Sequence, residues 1–319
     1  MISESRLNQI WYEGGTVPWY LSWLERLYRV LRPFQQRWQK LRAAHPGVPV
    51  VVVGNLTVGG TGKTPLIVHL AQRLAARSVT VGVVSRGYGS SAGPGPVEVS
   101  DDSPPAAVGD EPLLIRQTTG VPVVVGSDRL AGCRHLVDRH GVTLILADDG
   151  LQHRRLKRDL EIVVVDHERG FGNGRLLPAG PLREPPNQLG PDVITVRNGD
   201  DMKLALKRAG NIKRGGKQAL TEFCGRPVVA MAGIGRPERF FQALEQEGLT
   251  IERNALPDHV NYQHELVADL IDKTVLTTSK DAVKLRDVAG EDWWEVPVEV
   301  TLNPTLDARL EAQLEGLLS

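Results

Sequence analysis

Apolar residues fall along this chain in two rhythms. Short aliphatic runs at Val48–Val53, Thr80–Val84, Val121–Val125, Thr143–Ala147, Glu161–Asp166 and Val193–Val196 are separated by loops and by stretches where apolar residues recur every three or four positions. Runs that are apolar on both faces predict strands buried on both sides. Their alternation with helical segments predicts a mostly parallel sheet flanked by helices. In such α/β sheets ligands bind beyond the carboxyl ends of the strands, so the residues that follow each run are the ones to inspect. Residues 198–225 are polar, rich in Lys, Arg and Gly, and lack a strong strand pattern. They read as a join to a second, smaller α/β unit with runs at Val228–Met231, Thr250–Arg253, Thr274–Thr278 and Val296–Leu302 and helices near 237–247 and 306–318. The pattern divides the chain into an N-terminal segment 1–46, a main unit 47–222 and a smaller unit 223–319.

The first strand carries the strongest chemical signal. Val50-Val51-Val52-Val53-Gly54 runs into Asn55-Leu56-Thr57-Val58-Gly59-Gly60-Thr61-Gly62-Lys63-Thr64, and Leu66, Ile67, Leu70, Ala71 and Leu74 then repeat at helical spacing. Strand, glycine-rich turn, Gly-Lys-Thr and helix together form the context of a phosphate-binding loop. The amides of Thr57, Gly59, Gly60, Thr61 and Gly62 would form an anion nest at a helix N-terminus. Lys63 would reach the β- and γ-phosphates, and the Thr64 hydroxyl would ligate Mg²⁺. Thr57 stands where the usual spacing has a glycine, so the loop path is expected to differ there.

Other strand ends offer carboxylates and cations with two readings each. Asp148-Asp149-Gly150 ends an apolar strand, as the Mg²⁺-associated acid of a phosphate-loop protein does, and Asp-Gly is also a turn signal. Asp110 and Glu111 precede an apolar helix, where acids complement the helix dipole, or where Asp110 acts as a base facing the nucleotide. Ser85-Arg86-Gly87-Tyr88-Gly89 is a substrate loop or an ordinary turn. The loop 170–185, with Arg183 and Glu184, holds too many Gly and Pro residues for regular structure, and long ordered loops of this kind are usually functional. His259 lies in a proline-marked loop beside Asp258, a surface position or a group titrating near neutrality. Thr277-Thr278-Ser279-Lys280-Asp281 sits at a strand end, an ordinary strand-to-helix turn or a stretch that could touch the nucleotide.

The N-terminal segment has its own composition. Four of the six tryptophans (Trp11, Trp19, Trp23, Trp38) lie in it, and Leu21, Leu24, Leu27, Tyr28 and Leu31 follow Pro18 at helical spacing among Arg26, Arg29, Arg32, Arg37, Lys40 and Arg42. An amphipathic helix of aromatic and basic residues suits a membrane interface, and the same pattern also suits packing on its own domain.

Bulk properties exclude several classes. Lys plus Arg and Asp plus Glu both number 38, giving zero net charge, which disfavours general nucleic-acid binding. The two cysteines lack metal or redox spacing, no apolar run approaches the ~18 residues of a spanning helix, and the N-terminus lacks a signal-peptide pattern.

Taken in order, the stretches Gly54–Pro65, Ser85–Gly89, Gly109-Asp110-Glu111-Pro112, Asp148–His153, Pro178–Glu184, Pro257-Asp258-His259 and Ser279–Lys284 resemble the tetraacyldisaccharide 4′-kinase (lipid A 4′-kinase) family of Gram-negative bacteria. The resemblance spans nearly the whole chain and includes a phosphate loop without glycine at the position of Thr57. Ser279 departs from the glutamate expected there. The resemblance implies a phosphate-loop NTPase-like fold and transfer of the ATP γ-phosphate to the 4′-hydroxyl of tetraacyldisaccharide 1-phosphate. It implies Asp110 as base with His259 as partner, Lys63 on the phosphates, and Mg²⁺ held by Thr64 and Asp149 with Glu184. Arg86, Tyr88, Arg129, Asp148 and Arg183 become candidates for substrate contacts. A lipid substrate also favours docking of residues 17–42 on an anionic membrane, hence a peripheral position on the cytoplasmic face of the inner membrane, with no nucleic acid and no obligate protein partner. A membrane-associated phosphate-loop ATPase switch is the alternative.

Overall fold

The computed structural model describes residues 4–87, 93, 95–258, 260 and 262–318. The chain begins with α1 (Glu4–Tyr12) and α2 (Trp19–Leu41), then enters the sheet at β1 (Val50–Gly54) and continues through α3 (Lys63–Ala76), β2 (Val81–Ser85), β3 (Val97–Val99), α4 (Pro105–Val108) and α5 (Asp110–Thr119). It goes on with β4 (Val123–Val125), α6 (Arg129–His140), β5 (Leu144–Asp148), β6 (Leu160–Asp166), β7 (Ile194–Asn198) and β8 (Met202–Leu206). The remaining elements are β9 (Ala209–Asn211), β10 (Lys217–Gln218), β11 (Val228–Ala232), α7 (Pro237–Gln246), β12 (Ile251–Ala255), α8 (His264–Val267), β13 (Val275–Thr278), α9 (Ser279–Leu285), β14 (Trp293–Val296), β15 (Val298–Leu302) and α10 (Pro304–Leu318).

Two sheets result. The larger has nine strands in the order β15-β8-β7-β6-β1-β5-β2-β4-β3, parallel except where β3 and β15 join its two edges. All five residues of β1 are buried, and β5 and β6 pair with it in parallel on either side. Since β1 lies between strands that come later in the chain, the loop leaving its carboxyl end opens at a switch point of the sheet, where a crevice forms. Leu66, Ile67, Leu70, Ala71 and Leu74 of α3 are buried against one face, with Val51 and Val53 in the same apolar cluster. Val50 and Val52 face the opposite cluster. The smaller sheet, β10-β9-β14-β13-β11-β12, is mixed and has apolar clusters of its own on both faces.

The sheets do not follow the expected division at 222/223. β9 and β10, in the stretch read as a strandless join, belong to the smaller sheet, whereas β15 and α10 return to the larger. The run Val296–Leu302 is two strands, β14 in one sheet and β15 in the other, separated only by Pro297, whose carbonyl accepts from the Lys207 amide (2.8 Å). The chain thus crosses between the sheets twice at neighbouring places, 207–208 and 297.

The N-terminal helix is turned inside out relative to an ordinary surface helix. α2 buries Leu21, Glu25 and Arg32, while Trp19 (81% exposed), Phe34 (70%) and Trp23 (59%) point outward with Leu27, Leu31 and Trp38. Glu25 and Arg32 are held by ion pairs to Arg175 and Glu184, and the outward side carries these apolar residues together with the exposed Arg26, Arg29, Arg37 and Lys40. No helix among the described residues is long and apolar enough to cross a membrane.

Candidate active site

The phosphate loop closes over the carboxyl end of β1 and is stitched to the loop 176–184. Thr57 forms an antiparallel bridge with Leu182, the Val58 amide donates to Pro181 O (3.0 Å), and the Arg183 amide donates to Leu56 O (2.7 Å). A buried, extended residue in a bridge needs no positive φ, which accounts for threonine at position 57. Glycine is needed at Gly62, where φ is +93° and a Cβ would stand 2.5 Å from Asn198 Nδ2. Asn198, at the end of β7, donates to Thr61 O (3.0 Å) and braces the loop from below.

Lys63 opens α3, with its ammonium 3.2 Å from Asn55 Oδ1 and 3.8 Å from Asp149 Oδ1. Asp148 and Asp149 leave the end of β5 beside β1. Asp149 has φ +48°, a strained backbone that aspartate tolerates better than most residues and that turns its carboxylate back toward Lys63. Burial pushes the Asp149 carboxyl up, but Lys63 and Arg183 outweigh it and hold it below the ordinary range. Arg183 makes a 2.8 Å ion pair with Asp149. Asp148 accepts from the Ser85 hydroxyl (2.8 Å), and burial together with the nearby Glu111 raises its carboxyl to about 6.

Asp110 and Glu111 form the first residues of α5, whose cap is Gly109 at φ +93° with no side-chain capping bond. Both face the C-terminal unit. Lys284 of α9 lies 3.3 Å from Asp110, and Lys280, one turn earlier, lies 3.1 Å from Glu111 and 3.2 Å from Asp258. Burial raises the Glu111 carboxyl, and Lys280 and Lys63, with Thr64 nearby, bring it below the ordinary value. The turn after β11 completes the closure, because a Cβ on Gly235 would stand 3.3 Å from the Gly60 amide nitrogen.

The sequence-level candidates therefore separate into groups. Lys63, Thr64, Asp148, Asp149, Arg183 and Asp110 converge on the crevice. Glu184 does not join them: it is 2% exposed and is held by Arg32 of α2 (2.8 Å) and Arg154 (2.9 Å). A carboxylate between two guanidiniums inside the protein is a structural ion pair, in place of the metal ligand expected. Arg129 is also buried, and its guanidinium donates to Asp148 O (2.5 Å) and Asp149 O (3.4 Å), so it shapes the Asp148-Asp149 turn. Arg86 is exposed beyond β2. Tyr88 and His259 lie outside the described residues. Sequence reading passed over Asn55, Ser85 and Asn198, whose signals were single polar residues at strand ends.

Buried atoms left without partners mark what this crevice is built to receive. Thr61 Oγ1, Asp148 Oδ1 and Asp149 Oδ1 lack hydrogen-bond partners among the described residues. Such groups are costly unless a ligand satisfies them. A hydroxyl and two carboxylate oxygens beside a lysine and a nest of amides fit a phosphate chain with its divalent cation, although the protein offers no self-sufficient cluster of metal ligands among the described residues.

Comparison with known proteins gives the same reading. The family model described as tetraacyldisaccharide-1-P 4′-kinase matches residues 16–315. The chain is 47% identical to the tetraacyldisaccharide 4′-kinase of Chromobacterium violaceum, with 93% of this chain and 94% of the relative covered. It is 41% identical to the protein of that name from Pseudomonas aeruginosa, with 100% of both covered. Among solved structures, the crystal structure of LpxK from Aquifex aeolicus in complex with ATP superposes with a TM-score of 0.76 at 26% identity, covering 93% of this chain and 98% of that one.

Proposed function

This chain belongs to the tetraacyldisaccharide-1-P 4′-kinase family and is the ATP-dependent lipid kinase that adds the 4′-phosphate in lipid A biosynthesis; from that premise we propose how its own residues divide the work. ATP lies with its phosphates on the amides of the phosphate loop, from Thr57 to Gly62, and Lys63 spans the β- and γ-phosphates. Thr64 and Asp149 would hold Mg²⁺, which would supply charge neutralisation on the phosphate chain. Asp149 suits this task because Lys63 and Arg183 keep it ionised.

A sugar hydroxyl is a weak nucleophile, and a carboxylate placed beside it takes its proton as the new bond forms. Asp110 is that carboxylate, with His259 as its partner. The Lys284 ammonium, 3.3 Å away, pairs with the Asp110 carboxylate and fixes its position. The 4′-oxygen bonds to the γ-phosphorus, the bond from that phosphorus to the β–γ bridging oxygen breaks with its electron pair leaving on ADP, and the hydroxyl proton passes to Asp110. Arg183, paired with Asp149 at the crevice, and the exposed Arg86 after β2 would serve the disaccharide, with Tyr88 assigned the same task by the family resemblance alone.

The lipid reaches this crevice from a membrane on which α2 rests. The observation that supports this is the orientation of the helix: it buries Glu25 and Arg32 and exposes its aromatic residues. The enzyme is accordingly a peripheral protein of the cytoplasmic face of the inner membrane.

The observation that carries these assignments is the convergence of Lys63, Thr64, Asp149 and Asp110 at one strand-end crevice. Incubation with Mg-ATP and tetraacyldisaccharide 1-phosphate in micelles, read by lipid mass, tests it with Asp110→Asn. The variant is expected to lose about 10²–10⁴-fold in kcat, the usual worth of general-base catalysis, with ATP affinity unchanged. Lost ATP binding would make Asp110 a structural residue.

A further inference from the structure

The C-terminal unit brings a second lysine to the mouth of the phosphate loop, and the mechanism above leaves it without a task. The Lys280 ammonium stands 3.1 Å from Glu111 and 3.2 Å from Asp258, and the side chain is largely buried. The Glu111 carboxyl is close enough to Lys63 and Thr64 for both to lower it. Asp258 Oδ2 lies 3.5 Å from the place where a Cβ on Gly235 would stand, and that place is 3.3 Å from the Gly60 nitrogen. An ammonium held between Glu111 and Asp258 is thus one carboxylate away from Lys63 and Thr64 on one side and from the Gly235–Gly60 contact on the other, beside the stretch where amides and a helix N-terminus receive phosphate.

Charge makes the same point. Two carboxylates at the rim would repel an incoming polyanion, and a lysine has three donors on a flexible stem with which to exchange one of them for a phosphate oxygen. Lys284 on the next turn is differently placed: it is fixed between Asp110, Asp281 (3.5 Å) and the carbonyl of Val260 (3.2 Å).

We propose that Lys280 is a phosphoryl-binding catalytic residue delivered by the C-terminal unit, exchanging a carboxylate partner for a γ-phosphate oxygen when nucleotide binds. The inference rests on the kinase reading above. Lys280 takes no proton in the transfer; with Lys63 it neutralises the peripheral oxygens of the phosphoryl group while the bond to ADP breaks and the bond to the 4′-oxygen forms.

The test compares Lys280→Met and Lys280→Arg with the full-length parent. Three quantities are read: kcat on micellar lipid, calorimetric affinity for ADP, and calorimetric affinity for β,γ-methylene-ATP. Lys280→Met is expected to lose about 10²–10³-fold in kcat, as when one transition-state donor is removed. Its affinity for the ATP analogue should fall by about tenfold, as loss of one phosphate contact would give, while affinity for ADP stays level; Lys280→Arg should recover much of the kcat. Equal weakening of ADP and analogue would make Lys280 a structural strut, and an unchanged kcat would also overturn the proposal. Should Lys280→Met fail to fold, Lys280→Gln gives the same ADP-to-analogue comparison. Failure of the parent to phosphorylate the lipid would remove the kinase reading, while the ADP-to-analogue comparison would still decide whether Lys280 meets the γ-phosphate.

Discussion

Glu184 shows how far a residue's chemistry depends on what surrounds it. In sequence it is an acid beside Arg183 in a glycine- and proline-rich loop, a reasonable metal ligand. In the fold it is buried between Arg32 and Arg154, with Arg154 continuing to Glu161. Removing one partner of a buried ion pair leaves uncompensated charge and costs about 3–5 kcal/mol. Glu184→Ala should therefore lower the melting temperature by several degrees while the Mg²⁺ concentration needed for half-maximal rate stays unchanged in the folded fraction. A raised Mg²⁺ requirement with unaltered stability would return Glu184 to the metal. Asp149 is the contrasting case, since its strand-end position made its place beside Lys63 legible from the sequence, although the Arg183 partner and the turn buttressed by Arg129 were not. Those contacts join residues 19 to 34 positions apart through side chains, which no local pattern records.

At the scale of elements, α2 departs most from ordinary packing. Leu21, Leu24, Leu27, Tyr28 and Leu31 read as one helical stripe, but the structure splits it: Leu21 and Tyr28 sit on the protein with Glu25 and Arg32, and Leu24, Leu27 and Leu31 are exposed. The Tyr28 hydroxyl donates to Arg183 O (2.9 Å), and Arg175 pairs with Glu25 (2.7 Å), so the helix is clamped to the loop that braces the phosphate loop. Burying an aromatic side chain in an apolar phase is worth about 1.5–3 kcal/mol. Replacing Trp19, Trp23 and Phe34 together by Ser should then weaken binding to anionic vesicles by more than about 100-fold, with circular dichroism and activity on detergent-dispersed substrate retained. Vesicle binding that survives the triple substitution would remove α2 as the docking surface. Sequence periodicity identified the helix and its amphipathic character; which face met the protein was decided by ion pairs to Glu184 and Arg175.

On the scale of the whole molecule, two sheets share one site. The second unit is held over the first by Arg236 and Arg239 on Asp166 (2.7 and 2.9 Å) and by Lys280 and Lys284 on the start of α5. Asp166 is 3% exposed, and its ion pairs cross between the units beside the Gly235 turn. Asp166→Asn keeps the shape and removes the charge, so the closed arrangement should be less favoured. The expected result is an increase of about tenfold in KM for ATP, the equivalent of roughly 1.4 kcal/mol of closure energy, with a further rise in high salt. A KM that does not move would show that apolar contact and the two lysines suffice to hold the units together.

The sequence by itself determined that the main unit is a phosphate-loop α/β sheet, where the loop lies, and which strand-end acids accompany it. Those features rest on local rules: buried aliphatic runs, helical spacing after Gly-Lys-Thr, and strands ending in carboxylates. Only the tertiary structure decided that β15 and α10 return to the first sheet, that Glu184 is an internal ion pair, and that Lys280 and Lys284 face Glu111 and Asp110 across the crevice. Each is a matter of which surfaces meet. Burial energy is nearly indifferent to which apolar partner is chosen, whereas a buried charge tolerates very few arrangements, so long-range ion pairs fixed what periodicity left open.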